Sequence, residues 1–87
     1  MTKIIFDSNC AGWRKDSEIN MCFLVYQSDY IQELLSHRDY IYLNNLYEIF
    51  GVKWNPDNEN LCWRKETGIN IEIGEPDPQG AIEITIT

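Results

Sequence analysis

Positive charge is scarce in this chain of 87 residues. The chain contains seven lysines and arginines and 14 aspartates and glutamates, so the formal net charge is −7. No base follows residue 65, and residues 66–87 hold five carboxylates, a local net charge of −5. Because phosphate backbones and anionic lipids repel such a chain, we expect no direct binding to nucleic acid or to a membrane surface.

Paired cysteines and long apolar runs are also missing. The three cysteines, Cys10, Cys22 and Cys62, are odd in number and never form a Cys-x-x-Cys pair. The apolar run near the amino terminus is too short for a signal peptide, and no stretch reaches the roughly 18 apolar residues of a membrane span. The sequence therefore predicts a soluble protein with free thiols in a reducing cytoplasm.

Motifs that carry catalytic chemistry are absent from the sequence. It contains no glycine-rich phosphate loop, no Gly-x-Ser-x-Gly and no His-Glu-x-x-His. The single histidine, His37, stands beside Arg38 at a predicted helix end, where positive charge interacts favourably with the helix dipole. The sequence therefore predicts no enzyme activity and no catalytic residue.

Metal sites are not expected either. A zinc site would have to combine His37 with all three cysteines, but structural zinc sites normally contain cysteine pairs close together in the chain. The acidic segment 57–60 lacks the central glycine of a calcium-binding loop and is interpreted as a solvated turn. We therefore expect no metal and no other cofactor.

The length and the 44% hydrophobic fraction predict one folded domain of the α+β class. It divides into an amino-terminal arm and loop (1–16), a helical part (17–52) and an antiparallel sheet (61–87). Within the arm, residues 3–6 are apolar enough for a short strand or an ordered arm. We expect one long helix and one short helix packed on a three-stranded sheet at the carboxyl terminus.

A long amphipathic helix is predicted over residues 17–37. Ser17 is a plausible N-cap, and apolar residues then recur at i, i+3, i+4 and i+7 spacing. Two apolar rows run side by side along it, so we expect the helix to be covered on more than one side. The alternative is a strand over 22–26 followed by a helix over 29–36.

The last quarter of the chain carries the clearest strand pattern. Three segments are predicted as strands: 61–65, 69–73 and 81–86. The turn at 66–68 has the length and the glycine position of a three-residue hairpin. If Ile73 pairs near Ile82, Glu72 stands directly opposite Glu83 on the outer face of the sheet.

Residues 38–52 are the most distinctive segment. Asn44 is the expected cap of a helix over 45–50, and Gly51 is the expected glycine that ends it. The residues fit the motif Tyr-x-x-Leu-Asn-x-x-Tyr-x-x-x-Gly through Tyr40, Leu43, Asn44, Tyr47 and Gly51, with Trp63 on a later strand. The motif resembles one in small uncharacterised proteins of Gram-positive phages and conjugative elements. The resemblance implies an origin on a mobile element, and its residues serve packing and specify no chemistry.

Two groups of residues are candidates for contact with a partner. The first consists of the carboxylates near the end of the chain: Glu72, Glu75, Asp77 and Glu83. The second consists of Trp13 and Trp54, which fall in predicted loops and either cap the core or touch a partner. The alternative for the carboxylates is a solvated surface that confers solubility alone.

These features favour a small acidic protein-binding module. In its sharpest form it is a mobile-element protein that inhibits or modulates a host protein such as a defence nuclease, in the manner of an anti-CRISPR protein. Its acidic face would bind the basic nucleic-acid groove of that partner. The alternative is a structural or assembly protein that forms a homodimer by edge pairing of its final strand and has no inhibitory role.

Overall fold

Short strands and two helices alternate along the chain in the computed structural model, which describes residues 1–54 and 59–87. In chain order they are β1 (Thr2–Phe6), α1 (Ser17–His37), β2 (Tyr40–Tyr42), α2 (Leu43–Phe50), β3 (Cys62–Arg64), β4 (Ile71–Ile73) and β5 (Ile82–Ile86). The predicted α+β class is confirmed. The predicted turn at 57–60 begins outside the described residues.

The main sheet is antiparallel, with the strand order β1-β5-β4. The amino-terminal arm is thus an edge strand of this sheet. Its Ile4 and Phe6 are buried between exposed neighbours, and Ile4 is the partner of Ile84 on β5. Because β5 is the central strand, with β1 on one side and β4 on the other, it has no free edge. The predicted edge pairing of the final strand with a second copy is therefore wrong, and whether the chain forms a homodimer in another way stays a prediction.

The strand β3 does not belong to the main sheet, contrary to prediction. It pairs with β2 in a separate two-stranded sheet, where Trp63 is the partner of the buried Ile41. The predicted turn after β3 does form, with Gly68 at φ +74° and its N–H donated to the carbonyl of Arg64. The chain then crosses to the main sheet instead of returning along β3, and Leu61 stays exposed.

The long helix α1 is continuous over Ser17–His37, as predicted, so the alternative strand over 22–26 is wrong. Its N-cap is Asp16 rather than Ser17. The Asp16 carboxylate accepts the backbone N–H groups of Glu18 and Ile19 at 3.0 and 3.3 Å, which satisfies two donors of the first turn.

One row of α1 packs on the core. Its buried residues are Asn20, Leu24, Ile31 and Leu35. Asn20 is polar but fully paired, since its side chain accepts the backbone N–H of Arg14 at 2.8 Å and donates to the carbonyl of the same residue at 2.7 Å. This pair of hydrogen bonds fixes the loop before α1 against the helix.

The short helix α2 begins and ends at residues with clear local signals. Its N-cap is Tyr42, and the Asn45 side chain accepts the Tyr42 backbone N–H at 3.0 Å. Asn44 is therefore not the cap, contrary to prediction. Gly51 ends the helix at φ +73°, as predicted, with its N–H bonded to the carbonyl of Glu48. The N–H of Val52 reaches back to the carbonyl of residue 47 at 2.9 Å, which completes a Schellman motif.

The core lies between the helices and the inner face of the main sheet. The isoleucines of β5, which are Ile82, Ile84 and Ile86, are each at most 1% exposed. Phe50 of α2 and Phe6 of β1 are also fully buried, and Phe6 stacks on the ring of Phe23 with centroids 5.5 Å apart. In the part of the chain that the structure describes, neither helix is both long and apolar enough to cross a membrane.

Candidate protein-binding surface

Glu72 and Glu83 share the outer face of the main sheet, as predicted, but they are not cross-strand partners. In the observed register Glu72 is the partner of Thr85, and Ile73 is the partner of Ile84. The predicted opposition of Glu72 and Glu83 is therefore wrong by two residues. Glu83 is the partner of Ile5 on β1, and its carboxylate lies 3.4 Å from the Lys3 ammonium group. Since both of these side chains are about half exposed, solvent screens this ion pair.

Asp77 has a structural role in the loop between β4 and β5. Its carboxylate accepts the backbone N–H groups of Gln79 at 2.8 Å and Ala81 at 2.9 Å. Its own N–H donates to the carbonyl of Ala81 at 2.9 Å. These bonds close the loop, and both N–H groups are accepted by Oδ1 of Asp77.

Glu75 is the one predicted carboxylate that lies beside a helix. It lines a shallow depression with Pro76 and with Glu18, Met21 and Cys22 of the first turns of α1. Two carboxylates, Glu18 and Glu75, therefore border the same apolar depression. This places part of the predicted acidic surface next to α1 rather than on the sheet.

Both candidate tryptophans pack against the core. The Trp13 indole donates its Nε1–H to the carbonyl of Gly80 at 2.9 Å, which joins two loops far apart in sequence. The Trp54 ring meets the ring of Tyr47 edge to face, with centroids 5.1 Å apart. Each indole is half-buried, so capping the core accounts for most of its surface.

The side of α1 opposite the core also carries apolar residues. These residues form what we call the outward face of α1: Ile19, Cys22, Val25, Tyr26 and Tyr30. At 3.6 residues per turn they lie away from the buried row that contains Leu24 and Ile31. Tyr26 is 73% exposed and Ile19 is 53% exposed, so nothing in the described chain covers them.

The charge on this helix is of one sign. Residues 17–36 contain no lysine or arginine, and the carboxylates of Glu18, Asp29 and Glu33 are all exposed. Asp29 lines a second shallow depression together with Val25 and Tyr26. The outward face of α1 therefore carries exposed apolar side chains with carboxylates among them.

Sequence reasoning missed this surface because it expected α1 to be covered on more than one side. Part of the second apolar row is half-buried, as predicted, through Phe23 and Leu34. Tyr26 and Tyr30 of the same row are exposed, since the fold supplies one layer against α1 and not two. The signal was present in the sequence as an apolar arc wider than one packing face requires.

The candidate metal-binding residues are dispersed. Cys10, Cys22 and Cys62 are free thiols; Cys10 is buried, and Cys22 and Cys62 are exposed. Over residues 1–54 and 59–87, no three histidine, cysteine or acidic side chains come together as a metal-binding group.

Cys10 should react slowly with thiol reagents. Burial raises the pKa of its thiol, which also lies 3.9 Å from the Asp7 carboxylate. A raised pKa leaves less thiolate at a given pH, and the thiolate is the reactive form. We expect iodoacetamide to modify Cys10 at least about tenfold more slowly than Cys22 and Cys62, by peptide mass spectrometry. Equal rates for the three cysteines are expected only in urea, and equal rates in the folded protein would contradict this burial.

Comparison with known proteins gives no match: no protein-family model, no curated protein and no solved structure is significantly similar to this chain. The resemblance to phage and conjugative-element proteins therefore stays a prediction. The function is argued below from the residues of this chain.

Proposed function

We propose that this chain is a non-enzymatic protein-binding module that docks a basic partner on the outward face of α1. The observation that carries the proposal is the row of exposed apolar side chains on a helix without lysine or arginine. Large exposed apolar surface is unfavourable in water, and contiguous patches of it mark interaction sites.

The composition of the surface, apolar side chains with carboxylates among them, suits contact with a basic partner. Tyr26 and Tyr30 offer broad rigid rings of the kind enriched among interface hot spots. Carboxylates around them, including Glu18 and Asp29, would attract a basic partner and fix its orientation. An amphipathic helix that places such a face in a groove is a common mode of recognition.

The proposed partner is a host protein with a basic groove, such as a defence nuclease, and the binding is inhibitory. This proposal is supported by the acidic charge and by the length of α1. The 21 residues of α1 extend over about 30 Å at 1.5 Å per residue, long enough to lie along a nucleic-acid groove. A mobile-element origin and a cytoplasmic location belong to the same proposal, as the sequence resemblance and the unpaired cysteines suggest.

The apolar part of the surface is tested by a pair of matched variants. Val25→Ser with Tyr26→Ser removes two exposed side chains of the outward face of α1, and Ile5→Ser removes an exposed apolar side chain on the sheet. Affinity capture from a Gram-positive host lysate, quantified by mass spectrometry, should recover a partner with the wild type and with Ile5→Ser. The double variant should lose it by at least about tenfold, since hot-spot truncations cost roughly 2 kcal/mol or more. Equal recovery by both variants would remove the basis for the proposal.

The contribution of the carboxylates is tested by binding kinetics with the captured partner. Glu18→Gln with Glu75→Gln removes the two carboxylates beside the depression at the start of α1. The on-rate should fall at low salt and depend less on salt, because surface charges steer association and are screened. The control is Glu72→Gln, which removes a carboxylate from the sheet. A double variant whose on-rate and salt dependence match those of wild type would show that the acidity serves solubility.

A further inference from the structure

The two-stranded sheet of β2 and β3 presents a pair of exposed aromatic rings. Tyr40 and Tyr42 are two residues apart on β2, so their side chains leave the same face of the strand. Their rings are 5.2 Å apart, in an edge-to-face arrangement at 69°. They are 47% and 39% exposed, while Ile41 between them is buried. The core therefore holds the strand while both tyrosine rings remain open to a ligand.

Basic residues surround these rings, in contrast to the rest of the chain. Arg64 is the cross-strand partner of Tyr40, so the two side chains lie on the same face. Arg38 precedes β2 and Lys65 follows β3, where the Lys65 N–H bonds to the carbonyl of Asp39 at 3.0 Å. The two segments 37–42 and 62–65 contain three basic residues and one acidic residue, a net charge of +2 in a chain of net charge −7.

The basic side chains are available to a ligand. Within the part of the chain that the structure describes, the ion pair is that of Lys3 and Glu83, and Arg38, Arg64 and Lys65 take part in none. An open cleft of about 450 Å³ lies beside the tyrosines, with Arg38 in its wall. The other lining residues are His37, Asp39, Tyr40, Tyr42 and Asn45. The volume lies within the range of small-ligand sites in proteins.

We propose that this surface, formed by Arg38, Tyr40, Tyr42, Arg64 and Lys65, binds single-stranded nucleic acid. Bases would stack on the two tyrosine rings, and the guanidinium and ammonium groups would contact phosphates. Aromatic side chains on a small sheet, interleaved with basic side chains, form the usual platform for single-stranded nucleic acid. A duplex is a poor ligand here because its base faces are hidden in its own stack.

The net charge of the chain does not exclude such a site, although it led us to expect no nucleic-acid binding. Association depends on the charge near the contact, since charges beyond about 10 Å are screened at moderate salt. The remaining acidity lowers the affinity, and the contacts of the basic side chains to phosphates make the affinity fall with salt. This site is independent of the proposed protein-binding surface, because the two share no residue.

The proposal is tested by fluorescence anisotropy with a short labelled oligothymidylate at low and moderate salt. Wild type should bind, and Tyr40→Ala with Tyr42→Ala should weaken binding at least about tenfold, in line with about 1–3 kcal/mol per stacked base. Tyr40→Phe with Tyr42→Phe keeps the rings and should bind within about threefold of wild type. Tyr26→Ala with Tyr30→Ala is the matched control on the outward face of α1 and should leave binding unchanged.

Two further ligands distinguish binding of a single strand from binding of a duplex or of a free nucleotide. A duplex of the same length should bind at least about tenfold more weakly, and thymidine monophosphate should compete only at concentrations far above those of the strand. Absence of strand binding by the folded wild type at low salt, equal binding of the duplex, or equal competition by the mononucleotide would each overturn the proposal. Unchanged binding by the folded Tyr40→Ala, Tyr42→Ala variant would do the same.

Discussion

Replacing Ile84 with alanine is expected to lower the free energy of unfolding by about 3–4 kcal/mol. Ile84 is 0% exposed and lies at the middle of the central strand β5. It is the register partner of Ile4 on one side and of Ile73 on the other, so its position joins all three strands of the main sheet. Truncation removes apolar contacts and leaves a cavity that these paired strands cannot close.

The matched control is the same substitution at Ile5, which is 46% exposed on β1. Ile5→Ala should cost less than about 1 kcal/mol, because its side chain already meets water. Urea denaturation followed by circular dichroism measures both variants. Equal losses for Ile84→Ala and Ile5→Ala would contradict the assignment of β5 as the buried centre of the sheet.

Replacing Gly80 with alanine is expected to cost about 2–4 kcal/mol, more than a strained backbone alone explains. Gly80 has φ +85°, a region that side chains disfavour. A Cβ placed there would also lie 2.9 Å from Cζ2 of Trp13. The indole cannot move away freely, since its Nε1–H is bonded to the Gly80 carbonyl and its ring packs on the core.

Gly68 supplies the control for this second substitution. It has a similar φ of +74°, but a Cβ there would meet no atom within 4 Å. Gly68→Ala should therefore cost only about 1 kcal/mol, the backbone contribution alone. Urea melts of the two variants give the difference. If Gly80→Ala is no worse than Gly68→Ala, the contact between Trp13 and the loop before β5 does not stabilise the fold.

Local patterns in the sequence were enough to predict the elements with strong periodicity or caps. The i, i+3, i+4 and i+7 spacing predicted α1 over its whole length, and Gly51 marked the end of α2. The alternating isoleucines of β5 predicted its buried face. In each case the residues that decide the structure are neighbours in the chain.

Strand pairing could not be predicted in the same way. Alternation says which side of a strand is buried but not which strand lies next to it. The arm strand β1 is far from β5 in sequence, and β3 leaves its expected neighbour to pair with β2. The register error at Glu72 has the same origin, because the loop between β4 and β5 fixes the pairing through Asp77 and not through a short hairpin turn.

The candidate surface was only partly foreseeable. The sequence pointed to carboxylates near the end of the chain, and Glu75 does lie beside α1. Whether Tyr26 is covered depends on how many layers the fold contains, which no local pattern states. An apolar arc that exceeds what one layer can bury is the feature that should have been interpreted as a contact surface.

Photo-crosslinking from Tyr26 tests the central claim, binding through the outward face of α1, most directly. Benzoylphenylalanine in place of Tyr26 should give a light-dependent adduct with a discrete host protein in a Gram-positive lysate, and the adduct should weaken at high salt. The same group in place of Thr67, an exposed residue in the turn after β3, is the control and should give no such adduct. No adduct from position 26, or equal adducts from both positions, would contradict the claim.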